Sequence, residues 1–198
     1  MPTRGNPGGG VVTILVAGVL LLGGSPFLMD FLSKWESSGR TVLTVYADRL
    51  AGGLPTVCDG LTRHVTSTPI IVGQVWTLEK CQAETQAAVI KVQRQLAGCF
   101  KRPPSQMVFD MATSHAWNNG AGATCNSLAM QAWNRGDWEL GCRRLAMSDA
   151  GRPVWSYTCK IEGGERVCHF VQGLANRRRD EWQHCVSGLL TDGFEARV

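Results

Sequence analysis

Three residues in one short stretch are of the types that carry out acid–base chemistry on a sugar bond. Glu36, Asp48 and Thr56 follow one another between Trp35 and Thr62. A glutamate and an aspartate that face each other across a cleft can hydrolyse a glycosidic bond, because one protonates the leaving oxygen while the other assists water or stabilises positive charge. Most carboxylates are simply exposed. The alternative is therefore a solvated glutamate followed by a turn aspartate.

A β-hairpin is predicted to carry the second and third of these residues. Thr41–Tyr46 is rich in β-branched and aromatic residues and predicts a strand that ends at Asp48, and Leu54–Cys58 predicts its partner. The Gly52-Gly53 pair favours the reversal of the chain in the loop between them. We therefore expect the aspartate and the threonine to lie near each other, with the glutamate approaching from a preceding helix.

The remaining chemistry-bearing residues are cysteines, which indicate disulfides. No two of them are close enough to form a zinc or thioredoxin-like motif. Disulfides favour an oxidising compartment, and the alternative is a set of buried thiols in a cytosolic protein. The pairing stays open except for Cys159–Cys168, where a Gly-Gly loop between them suggests a turn. The four histidines show no ligand spacing, so we expect no metal site. The cysteines lie at positions 58, 81, 99, 125, 142, 159, 168 and 185, and the histidines at 64, 115, 169 and 184.

The first 33 residues have the features of an export segment. Arg4 is the only charged residue before Asp30, and Val11–Leu22 is a continuous apolar run. This run is short for a membrane span, so a cleaved signal peptide, a permanent anchor and a releasable anchor are all considered. We expect residues 1–33 to be the export segment and residues 34–198 the catalytic domain. Any movement of the segment would drag Glu36 with it.

Helical spacing dominates the chain after the predicted hairpin. Capping residues and apolar periodicity predict several helices, with Thr77 and Asp137 at N-cap positions. The net charge of +4 is compatible with an anionic polymer but selects no class of partner. The predicted helices are Trp76–Leu96, Ser105–Trp117, Ser127–Asn134 and Asp137–Met147.

The stretch around Glu36 resembles the phage-type lysozymes of glycoside hydrolase family 24. That pattern is a Glu, then Tyr-x-Asp, Gly, Thr and a Gly-x-Thr close, and a later Gly-Leu-x-x-Arg-Arg helix that also contains a Glu. The sequence departs from it in two places: Ser37 follows the glutamate, and Asp48 comes later than is usual. Asp59 is kept as a second choice for the aspartate. The matching residues are Glu36, Tyr46-Ala47-Asp48, Gly52, Thr56, Cys58-Asp59-Gly60-Leu61-Thr62 and Gly173–Glu181.

The resemblance implies a role for each matching residue. Glu36 would be the general acid, Asp48 would position water or stabilise the oxocarbenium-like state, and Thr56 would help to hold the water. Arg177 would form an ion pair with Glu36. For two of the three arginines 177–179, however, we expect a solvated helix face. The implied fold is α+β, mostly helical and lysozyme-like, with a small β-hairpin lobe.

The implied substrate is the β-1,4 bond between N-acetylmuramic acid and N-acetylglucosamine in peptidoglycan, cleaved for host cell lysis. We expect a monomer without cofactor or nucleic-acid partner. Residues 11–29 would tether it to the inner membrane before release into the periplasm, after which the segment should pack on the domain. A lytic transglycosylase that needs only Glu36 is the alternative enzyme. A disulfide-rich binding module without enzymatic activity is the third hypothesis.

Overall fold

The computed structural model describes residues 11–37, 39–49 and 52–191. Arg4 of the expected export segment, and Leu50 and Ala51 of the expected hairpin loop, lie outside these residues. The described residues form seven helices and three separate two-stranded antiparallel sheets. This is the mostly helical α+β fold with a small hairpin lobe that the sequence predicted.

The apolar run near the N-terminus forms a β-hairpin in this structure. Strands β1 (Thr13–Val16) and β2 (Val19–Leu22) pair antiparallel. The turn between them has positive φ at Ala17 and Gly18, which is the geometry of a type I′ hairpin turn. Alternate residues such as Ile14 and Val16 pack into the main core, while Leu15 and Leu20 are exposed. No helix within the described ranges is long and apolar enough to cross a membrane.

Helix α1 (Pro26–Ser37) follows this hairpin directly. Ser25 caps it, because its hydroxyl accepts a hydrogen bond from the backbone N–H of Leu28 at 3.1 Å. One face of the helix is buried through Leu28, Phe31 and Leu32. The boundary expected between residues 33 and 34 therefore falls inside a continuous helix that joins the N-terminal hairpin to Glu36.

The predicted hairpin lobe is formed by β3 (Val42–Asp48) and β4 (Leu54–Cys58). Asp48 pairs with Leu54, and Tyr46 pairs with Thr56. The register is irregular between Val42 and Tyr46, where β3 turns to a second partner segment: the backbone N–H of Val45 donates to Gln74 O at 2.8 Å. Such a bulge bends the strand. The lobe has its own small core, which contains Val45, Val57, Leu61, Trp76 and the buried Cys58 and Cys81.

Six further helices build the larger lobe around a core that includes Phe109, Met111 and Trp133. Of the two predicted N-caps, Thr77 accepts a capping hydrogen bond from Lys80 N. Ser105, which was not predicted as a cap, accepts one from Val108 N. Asp137 occupies an N-cap position without a side-chain capping bond. The helices are α2 (Leu78–Ala97), α3 (Gln106–Asn119), α4 (Ala121–Cys125), α5 (Leu128–Arg135), α6 (Trp138–Arg143) and α7 (Gln172–Thr191).

All eight cysteines form disulfides, which confirms the interpretation of the cysteine content. The suspected pair Cys159–Cys168 is present, and it staples the exposed hairpin of β5 (Tyr157–Glu162) and β6 (Glu165–Phe170). The other three bonds join separate parts of the fold. They are Cys58–Cys81, Cys99–Cys125 and Cys142–Cys185.

Candidate active site

Glu36 lies in the last turn of α1 and is held from two sides. Its Oε1 accepts a hydrogen bond from Arg177 Nη1 at 2.5 Å, and its side chain is 21% exposed. Its Oε2 faces Gly60, where an added Cβ would lie only 3.4 Å away. The glutamate is therefore partly open to solvent while its two oxygens are set by an arginine and by a close backbone approach.

The turn that approaches Glu36 depends on unusual backbone conformations. Cys58 has φ of 58° and Gly60 has φ of 82°, a region that favours glycine. Val57 and Leu61 exchange backbone hydrogen bonds of 3.0 and 2.8 Å across the turn. The Cys58–Cys81 disulfide ties this turn to α2. The Cys-x-Gly-x-Thr part of the sequence motif thus forms a turn beside Glu36 that is restrained by hydrogen bonds and a disulfide.

Asp59, the second choice for the aspartate, belongs to this turn. Its Oδ2 lies 3.5 Å from Thr41 Oγ1, at the outer limit of a hydrogen bond, and its Oδ1 is buried. The side chain therefore has a structural contact with the residue that precedes β3. Asp59 is half-buried, as is Asp48, so the two aspartates do not differ in burial class.

Asp48 and Thr56 lie in the same hairpin, as the sequence predicted. Asp48 is half-buried at the end of β3, and Thr56 is buried two positions along β4 from the partner of Asp48. The Thr56 hydroxyl donates its hydrogen bond to the carbonyl of Leu54 at 3.0 Å. Its oxygen can still accept a hydrogen bond from another donor. The hairpin leads into the turn that meets Glu36.

Arg177 has a partner on each guanidinium nitrogen. Nη1 donates to Glu36, Nε lies 3.4 Å from Glu181 Oε1, and Nη2 lies 3.4 Å from the carbonyl of Ser114. Its side chain is only 5% exposed. The structure thus places Arg177 between the glutamate of α1 and the interior of the α3–α7 contact.

The expectation that two of the three arginines 177–179 face solvent is wrong. Arg177 and Arg178 are buried, and only Arg179 is exposed. The reason is that α7 packs along α3, and Glu181 lies on the same face, four residues after Arg177 and three after Arg178. The Glu at the end of the Arg-Arg motif was the available signal for this burial.

Glu181 is the acceptor at the centre of this buried cluster. Its Oε1 accepts hydrogen bonds of 2.7 Å from both Ser114 Oγ and Arg178 Nη2. Burial raises the pKa of Glu181, while the two arginines and the serine act in the opposite direction. Burial also lowers the pKa of Arg178 to about 10, which leaves it charged at neutral pH. Neither Ser114 nor the central position of Glu181 was identified from the sequence.

His115, which follows Ser114 on α3, is also buried. Its Nδ1 lies 2.8 Å from Thr124 Oγ1, and its ring packs edge-on against Trp155 at 4.7 Å between centroids. Burial and the nearby arginines lower its pKa well below the usual value, so the imidazole is neutral. Within the described ranges, no three His, Cys, Asp or Glu side chains come together as a metal site would require.

The site geometry can be compared with known proteins. The family model of phage lysozyme matches residues 34–181, more than half of the chain. The fold is similar to an endolysin from Escherichia coli O157:H7 phage FAHEc1, with 24% identity, TM-score 0.66, and coverage of 82% of this chain and 92% of that one. No curated protein matches the sequence.

Two further solved structures share the fold. The muramidase domain of SpmX from Asticaccaulis excentricus has 18% identity and a TM-score of 0.63, over 82% of this chain and 96% of that one. A mutant of P22 lysozyme has 18% identity and a TM-score of 0.61, over 87% and 99% of the two chains. The matched range contains Glu36, the hairpin, the Gly60 turn and Arg177. The chain therefore belongs to the phage lysozyme family and is a glycoside hydrolase of the lysozyme, or muramidase, type.

Proposed function

We propose that this endolysin hydrolyses the β-1,4 bond between N-acetylmuramic acid and N-acetylglucosamine in peptidoglycan, and that it serves host cell lysis. Membership of the phage lysozyme family supports peptidoglycan as the substrate. The observation that carries the proposal is the contact of Glu36 with both Arg177 and the Gly60 turn. A carboxyl group that is oriented on both oxygens but still reachable from solvent is suited to meet a glycosidic oxygen.

In this mechanism Glu36 acts as the general acid. It gives its proton to the oxygen of the leaving sugar as the glycosidic bond breaks, and positive charge develops on the ring that remains. Asp48, at the end of β3, stabilises that charge or orients the attacking water. Thr56 accepts a hydrogen bond from the water through its free lone pair, since its own proton goes to Leu54.

A lytic transglycosylase is the second candidate, and the position of Thr56 favours keeping it. The threonine is buried and donates to the backbone. A transglycosylase needs no bound water, because a hydroxyl of the sugar itself attacks and leaves an anhydro end. Glu36 would then act alone as acid and base.

Two substitutions distinguish these reactions on purified peptidoglycan. Glu36→Gln should lower the turnover rate by at least about 100-fold in either case, because general acid catalysis contributes that much or more. Asp48→Asn should cause a comparable loss only for the hydrolase. Mass spectrometry of the products should show reducing muramic acid ends.

The exposed Glu79, in the first turn of α2, provides the control: Glu79→Gln should keep full activity. Anhydromuramic ends, or full activity of Asp48→Asn, would count against hydrolysis. Full activity of Glu36→Gln would exclude both enzymes with this acid and favour a binding module.

We further propose that residues 11–29 tether the protein to the inner membrane before it is released, active, into the periplasm as a monomer. The apolar composition of the segment and its direct continuation into α1 support this. In the folded domain the first part of this segment is packed as β1–β2. Gly18 and Gly24 have positive φ, and a Cβ added at Gly23 would lie only 3.3 Å from Ile90.

Leucine at Gly18, Gly23 and Gly24 tests the tether. The change makes the segment more apolar and at the same time opposes its packed form, so the protein should stay in the membrane fraction and lysis should be delayed. Gly53→Leu is the control, since it has positive φ outside the segment. Unchanged fractionation and lysis timing would refute the tether.

A further inference from the structure

The contacts of Arg177 point to a residue that acts on Glu36 from the interior. One guanidinium group bridges two carboxylates, Glu36 at 2.5 Å and Glu181 at 3.4 Å. The bridge is almost closed to water, since the Arg177 side chain is 5% exposed and that of Glu181 is fully buried. Charges interact more strongly in such an environment than at the surface. One guanidinium group therefore links Glu36 to a carboxylate that is closed to solvent.

Glu181 is built to remain in one orientation. Ser114 Oγ and Arg178 Nη2 each donate to its Oε1 at 2.7 Å, and Arg177 Nε approaches the same oxygen. Two of these three donors are guanidinium groups, which favour a carboxylate over a neutral carboxyl group. Its other oxygen is buried and has no hydrogen-bond partner among the described residues, so Oε1 makes all the described hydrogen bonds of this carboxylate.

The charges of the cluster change when Glu36 takes up a proton. With both glutamates ionised, Arg177 and Arg178 are balanced by Glu36 and Glu181. Once Glu36 carries the proton that it must give to the leaving oxygen, Glu181 is the one carboxylate of these four groups that remains. Without it, two buried positive charges would oppose protonation of Glu36.

The elements around Glu36 carry other titratable groups. The turn of Gly60 contains Asp59, the β3–β4 hairpin contains Asp48, and α3 contains the neutral His115. On the outer side Lys34 of α1 pairs with Asp180 of α7 at 2.7 Å, where Lys34 is largely exposed and its charge is screened. Glu181 differs from Lys34 and Asp180 because it reaches Glu36 through the guanidinium group of Arg177.

We propose that Glu181 is a positioning residue for glycosidic bond cleavage: it holds Arg177 against Ser114 and shares its positive charge, so that Glu36 keeps the proton it delivers. This rests on the proposed role of Glu36 as general acid. Arg178 is the opposing partner, since its positive charge also acts on Glu36. Removing the two charges should therefore have opposite effects on the reaction.

The test is the pH dependence of kcat/KM on soluble peptidoglycan fragments for two variants and a control. Glu181→Gln keeps the size and the acceptor oxygen but removes the charge, and it should move the alkaline limb of the profile to lower pH by about one unit, a modest shift for a neighbouring charge. Arg178→Gln should move the limb to higher pH. Arg179→Gln, exposed on the same helix, should leave it in place.

A purely structural role for Glu181 predicts a different result. Loss of folded protein lowers the apparent kcat of both buried variants without moving the limb. The positioning role predicts a limb shift, with the loss at neutral pH appearing in kcat while KM changes little. Unmoved limbs in both variants, or shifts in the same direction, would overturn the proposal.

A second measurement needs no substitution, because removing half of a buried ion pair can prevent folding. A ¹³C NMR titration of glutamate carboxyl carbons in the unmodified protein should show Glu181 ionised across the pH range in which Glu36 titrates. A neutral Glu181 at pH 7 would refute the proposal. If the unmodified enzyme releases no muramic acid ends, the proposed function is wrong. The NMR titration still reports the charge state of Glu181, so the two failures can be distinguished.

Discussion

At the scale of single residues, the site depends on a position that has no side chain. A Cβ added at Gly60 would lie 3.4 Å from Glu36 Oε2, in van der Waals contact, and the φ of 82° at this glycine is one at which L-residues are strained. Conformation and contact make separate demands on this glycine. Gly53 has almost the same backbone angle, 84°, but an added Cβ there would meet nothing within 4 Å. A comparison of substitutions at Gly60 and Gly53 therefore separates the effect of backbone strain from the effect of contact with Glu36.

We expect Gly60→Ala to lower both stability and activity, and Gly53→Ala to lower stability alone. Each alanine should cost about 1 kcal/mol of unfolding free energy, because L-residues disfavour this conformation. Only the first pushes against Glu36 Oε2. Denaturant unfolding and peptidoglycan turnover, measured on both variants, check this. Equal activity per folded molecule in the two would contradict a role for the close approach.

At the scale of elements, the start of α1 is fixed to the larger lobe by buried polar groups. Gln93 of α2 accepts from Gly24 N at 2.8 Å, and Gln106 of α3 exchanges hydrogen bonds with the backbone of Leu22. Asp110 of α3 accepts from the cap residue Ser25 at 2.6 Å. Helix α1 carries Glu36 near its C-terminal end. Its N-terminal end is thus held by polar side chains that hydrogen-bond to the preceding backbone and to the cap residue.

Asp110 should make this docking sensitive to pH. Burial raises the pKa of its carboxyl from 3.8 to about 6, against the opposing hydrogen bonds from Ser25 and Gln106. The folded state then binds more protons than the unfolded state, so stability is highest below pH 3.8 and falls as pH rises towards about 6. The contribution lost is about 3 kcal/mol at 1.36 kcal/mol per pKa unit.

Asp110→Asn should remove this pH dependence, because the amide cannot ionise but can still accept one hydrogen bond. Urea unfolding of both proteins at several pH values gives the difference curve, in which the variant gains relative stability as pH rises through about 6. Asp30→Asn, at an exposed position of α1, controls for loss of a charge. A flat difference curve would contradict this account of Asp110.

At the scale of the whole molecule, the disulfides differ in what they connect. Cys142–Cys185 joins α6 to α7, and its two cysteines are buried and lie 43 positions apart in the sequence. Cys159–Cys168 spans only 9 and closes a hairpin whose residues are almost all exposed. The first bond restrains the helix that presents Arg177, and the second restrains a local loop.

Removing the two bonds by paired alanine substitutions should therefore have unequal effects. Loop-closure entropy predicts a loss of about 4 kcal/mol for Cys142–Cys185 and about 2.5 kcal/mol for Cys159–Cys168. Thermal unfolding of the two double variants measures the difference. A larger loss for the hairpin bond would show that this hairpin has a stabilising role that its exposure does not suggest.

Local sequence patterns were sufficient to predict many of the secondary-structure elements. Contacts between residues distant in sequence could not be predicted from them. β-branched residues and a glycine pair identify β3–β4, and the cap Thr77 with apolar spacing identifies α2, because these signals act between near neighbours in sequence. The run that forms β1–β2 is apolar at almost every position. The sequence therefore does not show which of its residues face solvent and which pack into the core that contains Ile90. Apart from Cys159–Cys168, the disulfide pairing depends likewise on which distant segments meet. The burial of Arg178 depends on how α7 packs along α3.

The residues of the candidate site likewise fall into those that the sequence identified and those that only the structure revealed. The resemblance to a family connected Glu36 with Arg177, a pairing that no local pattern could supply. Ser114 lies in a buried helix with no feature to distinguish it from other serines. The order of Asp48 and Thr56 along a hairpin followed from strand propensity, whereas the approach of Gly60 to Glu36 required the turn geometry.

The ion pair of Glu36 with Arg177 joins residues that are 141 positions apart. A ribosome makes the acid early and its partner late, so during synthesis α1 exists for most of the translation time without the group that orients its carboxylate. Any product that stops before α7 lacks Arg177 and Glu181 together. From the proposed role of Glu36, we expect such a shortened chain to lack muramidase activity.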